Sequence, residues 1–474
     1  MTSLLRRKSI EATSGVGAGQ RLRKTLSWPH LVALGVGAVV GTGIYTLTGV
    51  AAGLAGPAVI LSFLIAGLVC ACAALAYAEM ATMIPAAGSA YAYSYAVLGE
   101  AVAWVVGWSL ILEYTVVCSA VAVGWSAHVA EAVRAAHWPI PAAILAGPYA
   151  GGIVNLPAVL ISLLVAGMLV VGTRESATLN VVLVALKIAA LCVFVALTLP
   201  AFSAARFHPF MPYGFLAHAQ GDVKVGVMGA AALIFFAFYG FDAVSTAAEE
   251  AKNPGRDLTI GILGSMVACT AIYMAVAAAA LGASPYRAFA GNAAPLVFIL
   301  RSLSHPLAAT VVAGAAIVAL PTVILAFMYG QSRIFFVMAR DGLLPQRLAR
   351  IDEKRGAPVL MTLITGVIVA ALAGFLPLTA IAELANAGTL AAFTAVAVCM
   401  LVLRRREPER PRVFRCPAPW VVGPLAIAGC LYLFASLPLG TIVRFLIWNA
   451  IGAGVYLLFS RRSSLLAQAD ARQA

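Results

Sequence analysis

The sequence predicts an all-α polytopic membrane protein with twelve transmembrane helices, and three observations lead there. Of the 474 residues, 62% are hydrophobic and only 10% are charged, with a mean hydropathy of +0.98. A soluble domain carries about 25% charged residues. Long apolar segments recur along the whole chain, each near the roughly 20 residues a helix needs to cross the hydrocarbon core. Two of these segments are interrupted mid-span by glycine: Gly35 to Tyr45, and Phe235 to Asp242 around Gly240.

Residues 1–28 are polar and basic and run into the first span with no small-residue cleavage pattern, so they read as a short, mobile cytoplasmic tail rather than a signal peptide. The spans are expected near 30–54, 57–83, 101–130, 155–172, 178–200, 225–249, 258–282, 306–330, 358–376, 379–403, 418–438 and 441–460. Spans 1–5 (about 29–200) and 6–10 (about 225–403) read as two copies of one unit, each opening with its broken helix. Five is odd, so the second copy enters the membrane from the opposite side. The core at 29–403 is therefore a 5+5 inverted repeat, with binding expected at mid-membrane. The basic linker 404–417 reads as a solvated interface anchor, followed by spans 11 and 12 at 418–460 and a tail at 461–474. The loops are too short for another domain.

The net charge of +13 is a topology signal and not a nucleic-acid one. With the N-terminus inside, 24 of the 31 Lys and Arg residues fall on the inner side and 6 on the outer, leaving Lys187 within the membrane. The positive-inside rule then places both termini in the cytoplasm. Seven of the eight cysteines lie in apolar spans, without C-x-x-C or zinc-type spacing, so they read as small hydrophobes. No metal is expected, and no cofactor beyond a coupling proton. No nucleophile–base arrangement marks an enzyme, and no G-x-x-x-x-G-K-[ST] phosphate loop marks an ATP-driven pump.

In lipid each unpaired backbone group costs several kcal/mol, so a broken helix persists where it lines a cavity or binds something. Two breaks in corresponding halves point to a transporter's substrate site. An amino acid suits such a site because it needs donors for its carboxylate and acceptors for its ammonium. Free N–H groups near Gly41, Thr42, Gly43 and Ile44 would meet the carboxylate, aided by the helix dipole. The carbonyls of Val39, Val40, Phe236, Ala237 and Phe238 would face the ammonium. Phe238, Tyr239 and Phe241 are expected to shape the side-chain pocket. Asp242 is expected to cap the second half-helix.

Several motifs in order resemble the amino acid–polyamine–organocation superfamily, and more closely its cationic amino acid transporter branch and bacterial relatives. They are Gly41-Thr42-Gly43-Ile44-Tyr45, Tyr77-Ala78-Glu79-Met80, Pro85 to Tyr91, Gly107 to Tyr114, Phe238 to Glu250 with Lys252-Asn253-Pro254, Tyr329 to Arg333, and Asp341 to Pro345. The resemblance spans roughly 25–405. It implies the LeuT-like architecture and alternating access, and it makes Phe236 the aromatic gate over the substrate. Eukaryotic cationic members have fourteen spans against twelve here, which favours a bacterial-type member in the inner (plasma) membrane.

Lys187 lies about 14 Å into span 5 at 1.5 Å per residue, near mid-membrane. An ionisable residue there is a functional candidate. Burial disfavours the charged form of an amine, so such a lysine can exchange a proton. In sodium-using relatives the ion bridges spans 1 and 8. The resemblance to proton-coupled members makes Lys187 the candidate coupling residue in its place. Glu113, near the middle of span 3, is taken as part of the substrate site and is expected to communicate with Lys187. Glu79 and Glu383 read as gate or interface residues, and Glu249 and Glu250 as cytoplasmic-interface residues. Thr322, Val323, Ala326 and Phe327 of span 8 lie near the site, and a bulky Phe327 would favour small or medium neutral L-amino acids over long cationic ones, with cationic cargo kept as the alternative. The expected function is proton-coupled amino acid symport. The alternatives are an amino acid exchanger on the same fold and, further off, a sensor that binds without transporting. The substrate and the lipid bilayer are the expected partners, with a small single-span membrane protein left open as another.

Overall fold

The computed structural model describes residues 6–10, 24–41, 43–171, 173–221, 223–292, 294–352 and 358–468. Apolar segments rich in Leu, Val, Ile and Ala form twelve spans. Span 1 is split into Trp28–Val39 and Thr48–Ala55, joined through a π-helical turn at Gly43–Leu47. Spans 2 to 5 are Val59–Met83, Glu100–Ala135, Leu156–Val171 and Thr173–Thr198. Span 6 is split into Val227–Ile234 and Asp242–Thr246, with one 3-10 turn at Phe235–Ala237 before the break. Spans 7 to 10 are Pro254–Ala283, Pro306–Ala319 continuing into Pro321–Arg340, Val359–Phe375 and Leu378–Arg406. Spans 11 and 12 are Pro419–Ala435 and Leu439–Val455. Proline at the first helical position opens spans 7, 8 and 11, where its missing N–H leaves no helical bond unmade.

Spans 3, 7, 8 and 10 run past the expected bounds, span 8 by ten residues, because hydropathy marks the hydrocarbon-facing segment while the helix continues into the interface. Hydropathy also left unmarked the short helices Ala90–Val97 and Pro295–Ser302 and a hairpin pairing His218–Gln220 with Val223–Val225.

Helix packing repeats between the halves. Span 1 packs on spans 5 and 7, and span 6 on spans 10 and 2; span 3 packs on span 10, and span 8 on span 5. One side-chain bond repeats as well. Asn180 of span 5 donates to Ala33 O of span 1 at 3.0 Å, and Asn386 of span 10 donates to Ala232 O of span 6 at 3.0 Å. Spans 11 and 12 stack outside on spans 2, 3 and 10.

Both tails meet on one face, called here the tail face. Lys8 pairs with Asp341 at 2.7 Å, beyond the end of span 8, and Ser464 donates to Glu100 Oε2 at 2.5 Å. Leu26 bridges to Ala251. The described residues of the first 28 are thus tied to the transport core, which corrects the expectation of a loose tail. The linker is corrected likewise. Arg404 and Arg412 bind buried Glu79 at 2.6 and 3.1 Å, and Cys416 N–H donates to the same carboxylate at 2.8 Å. Four donors satisfy one buried carboxylate, so the linker is clamped to span 2 instead of floating at the interface.

A candidate substrate site where two broken helices touch

The two breaks lie against each other, and glycine permits it. A Cβ on Gly43 would collide with Cα and Cβ of Ala237. Gly240 has φ +126°, a conformation that side chains resist, and a Cβ there would sit 2.9 Å from the Ala38 carbonyl carbon. The Gly43 N–H has no hydrogen-bond acceptor among the described residues, and Ile44 N–H makes only a 3.3 Å bond to Gly41 O. Thr42, expected beside them, lies outside the described residues. Gly41 packs on Val323 of span 8. Across the contact, the carbonyls of Phe236, Ala237 and Phe238 accept no hydrogen bond among the described residues. An unpartnered backbone donor and unpartnered backbone acceptors therefore lie on the two segments that touch where the breaks meet.

The carbonyls of Val39 and Val40, expected to face an ammonium from the substrate, are already occupied. Tyr273 of span 7 donates to Val39 O at 2.6 Å. Lys187 Nζ donates to Val40 O at 2.6 Å and to Gly37 O at 3.0 Å. The span 8 hydroxyl of Thr322 lies 3.4 Å from the same Gly37 oxygen while donating to Ala319 O at 2.7 Å. The Lys187 ammonium thus sits on the unwound end of span 1 beside span 8, fully buried.

The repeat isolates what is special about Lys187. It lies seven residues after Asn180, and its acceptor Val40 lies seven after Ala33. Seven residues after Asn386 stands Phe393, whose ring packs on Phe235 and Phe241 at the second break, at 5.9 and 5.0 Å. The counterpart position needs no charge to pack.

The aromatics divide differently from expectation. Phe236 packs edge-on to Tyr239 at 5.1 Å, Tyr239 to Phe327 at 5.9 Å, and Phe327 to Tyr114 at 5.1 Å, forming one wall. Phe238 instead wedges between Phe63 and Tyr273, and Phe241 between Tyr77 and Phe393. Consecutive residues of an unwound segment point in different directions, so one local motif packs against two separate sets of neighbours.

Asp242 is buried, accepts Gly240 N–H at 3.1 Å and takes the Tyr114 hydroxyl. It is the first residue of the second half-helix, whose N-cap is Phe241 with no side-chain bond, so in place of the expected cap it braces the break that precedes the helix. Glu113 does not touch Lys187. Its Cβ region packs on Gly388 of span 10. Both its carboxylate oxygens are buried without a hydrogen-bond partner among the described residues, since neighbouring Thr389 donates to Ala385 O. Lys187 bonds span 1 while Glu113 packs on span 10, so of the communication expected between them, direct or through water, no direct contact is made. Glu249 and Glu250, expected at an interface, end span 6 at the tail face and are held there in ion pairs. Glu250 accepts from Tyr329 at 2.7 Å and pairs with buried Arg333 at 3.1 Å, while Glu249 pairs with Arg340 at 3.0 Å. These pairs join the end of span 6 to span 8 at the tail face. Glu383 accepts the Thr441 hydroxyl of span 12 at 2.7 Å.

Sequence reasoning missed Tyr114, Tyr273 and Asn180. Each is a polar group within an apolar span, and such a group needs a partner in lipid; that signal was available, though the partner was not.

Two crossed helix breaks inside a twelve-span bundle define a membrane carrier. The sequence profile described as amino acid permease matches residues 26–459, and the chain belongs to that family, within the amino acid–polyamine–organocation superfamily. It is 41% identical to the branched-chain amino acid permease BcaP of Bacillus subtilis (strain 168), over 98% of this chain and 99% of that one. It is 42% identical to the methylthioribose transporter of the same organism, over 98% and 100%. It is 39% identical to the vacuolar cationic amino acid transporter 2 of Arabidopsis thaliana, over 86% of this chain and 64% of that one.

Proposed function

We propose that this protein is a proton-coupled carrier of neutral aliphatic amino acids, working by alternating access in a bacterial inner membrane with the tail face in the cytoplasm. The observation that carries the coupling is the Lys187 ammonium on the Gly37 and Val40 carbonyls, opposite a plain Phe393 in the other repeat. Carbonyl oxygens beside a hydroxyl of span 8 are what a small cation would bind. A tethered ammonium there takes a sodium ion's place, and loss of its proton frees the same oxygens. Span 1 is then held to span 5 in one protonation state and released in the other.

The substrate class follows from the crossing point. The Gly43 N–H supports a carboxylate and the carbonyls at Phe236 to Phe238 an ammonium, while the Phe236, Tyr239, Phe327 and Tyr114 wall favours an apolar side chain. Glu113 offers a further acceptor. Relatives named for branched-chain amino acids agree with this reading. Orientation follows from the excess of Lys and Arg on the tail side.

The test is radiolabelled leucine uptake in proteoliposomes under an imposed pH gradient without sodium, with wild type beside Lys187→Ala and with methylthioribose among the unlabelled competitors. Gradient-driven accumulation that Lys187→Ala abolishes while leucine binding persists is the expected result. Counterflow without accumulation would make the protein an exchanger. Competition by methylthioribose alone would overturn the amino acid reading.

A further inference from the structure

A cavity of about 620 Å³ opens on the face opposite the tails, separate from the crossing of the breaks. Its wall is mainly apolar, including Val123, Leu145 and Phe375, yet one acid and one base line it together: Glu131 and Arg134, one helical turn apart at the end of span 3. Glu131 Oε1 takes Arg301 at 3.2 Å, which leaves its second oxygen, whereas Arg134 makes no ion pair among the described residues. Thr46 lines the same cavity. It is 5% exposed, its hydroxyl has no hydrogen-bond partner among the described residues, and it stands three residues after Gly43 on the broken span.

We propose that this cavity is a second binding site for the amino acid zwitterion, occupied before the substrate reaches the helix breaks. Residues three apart on a helix are about 5–6 Å apart at Cβ, a spacing that lets one α-amino acid bridge them. Arg134 takes the carboxylate and Glu131 the ammonium. The apolar wall takes an aliphatic side chain, and the Thr46 hydroxyl offers the next polar contact toward Gly43. Two guanidinium groups against one carboxylate leave an excess positive charge, so the carboxylate end docks first.

The inference rests on the amino acid reading, and its test separates the two. Radiolabelled leucine binding is measured at equilibrium on the full chain in nanodiscs, together with uptake kinetics. Wild type is expected to bind two leucines and Arg134→Ala one, with KM for uptake raised about tenfold, a factor worth about 1.4 kcal/mol, and Vmax kept. Ala127→Trp, which fills the cavity from an exposed position on its wall, is expected to do the same, and Arg134→Lys to recover part of the effect. A change in KM without a change in stoichiometry would reduce Arg134 to electrostatic steering and overturn the site. So would one leucine bound in every variant with unaltered KM. A wild-type protein that neither binds nor carries any amino acid would sink the substrate class itself and this site with it.

Discussion

At the scale of single residues, one side chain and one missing side chain carry the chemistry. Lys187 bonds two carbonyls freed by the break. Its replacement by methionine keeps the length and removes both bonds, so leucine uptake is expected to lose its response to a pH gradient while counterflow survives; stopped-flow fluorescence of a trapped pH dye reads this directly. Gly43 is required for the opposite reason, since any Cβ meets Ala237. Gly43→Val is expected to cost about 1–3 kcal/mol through overpacking and to abolish leucine binding, measured by thermal unfolding with and without leucine. Retained ligand stabilisation would show that the breaks need not touch.

At the scale of elements, the ion pairs of the tail face tie particular helices to one another. Breaking a buried pair from one side strands a charge and costs about 3–5 kcal/mol, while replacing both partners costs far less. Arg333→Met is therefore expected to lower thermal stability sharply, and Glu250→Gln with Arg333→Met to recover most of it. The Glu79 clamp yields a chemical readout. Burial, with the Glu79 carboxylate second, pushes the Cys416 thiol up to about 12. Its thiolate is scarce at pH 8, so maleimide labelling should be slow there and should quicken only as the pH rises toward 12. Glu79→Gln removes the charge and loosens the linker, and is expected to accelerate labelling at pH 8. An unchanged rate would mean that the linker stays closed without the carboxylate.

At the scale of the whole molecule, one face is tied and the other holds a cavity. Lys8–Asp341, Glu249–Arg340 and Glu250–Arg333 close the tail face, while the 620 Å³ cavity opens opposite. Lys8→Ala is expected to shift the balance toward opening at the tail face, read as longer distances between spin labels on the ends of spans 6 and 8. Identical distance distributions would confine Lys8 to holding the tail. The internal symmetry matters at this scale too. Asn180 and Asn386 hold the two broken spans to their neighbours in the same way, and the charge of Lys187 enters in only one half.

The twelve spans, their two breaks and the membrane-embedded lysine were legible in the chain alone, because a hydrocarbon solvent turns local composition into structure: about twenty apolar residues become a helix, and a glycine-rich gap or a charge stands out. Asp242 stood out for the same reason, but its partners are the Gly240 N–H within the break and the Tyr114 hydroxyl of span 3, and the second of these only the packing supplies. The tertiary structure decided every choice of distant partner. Val39 and Val40 looked free until Tyr273 and Lys187 were placed on them. Glu113 looked like a mate for Lys187 until span 10 came between their roles. The arginines of the linker looked solvated until Glu79 was found 325 and 333 residues away in sequence. Such pairings depend on which helices pack together, and among uniformly apolar spans that information resides in shape rather than in composition.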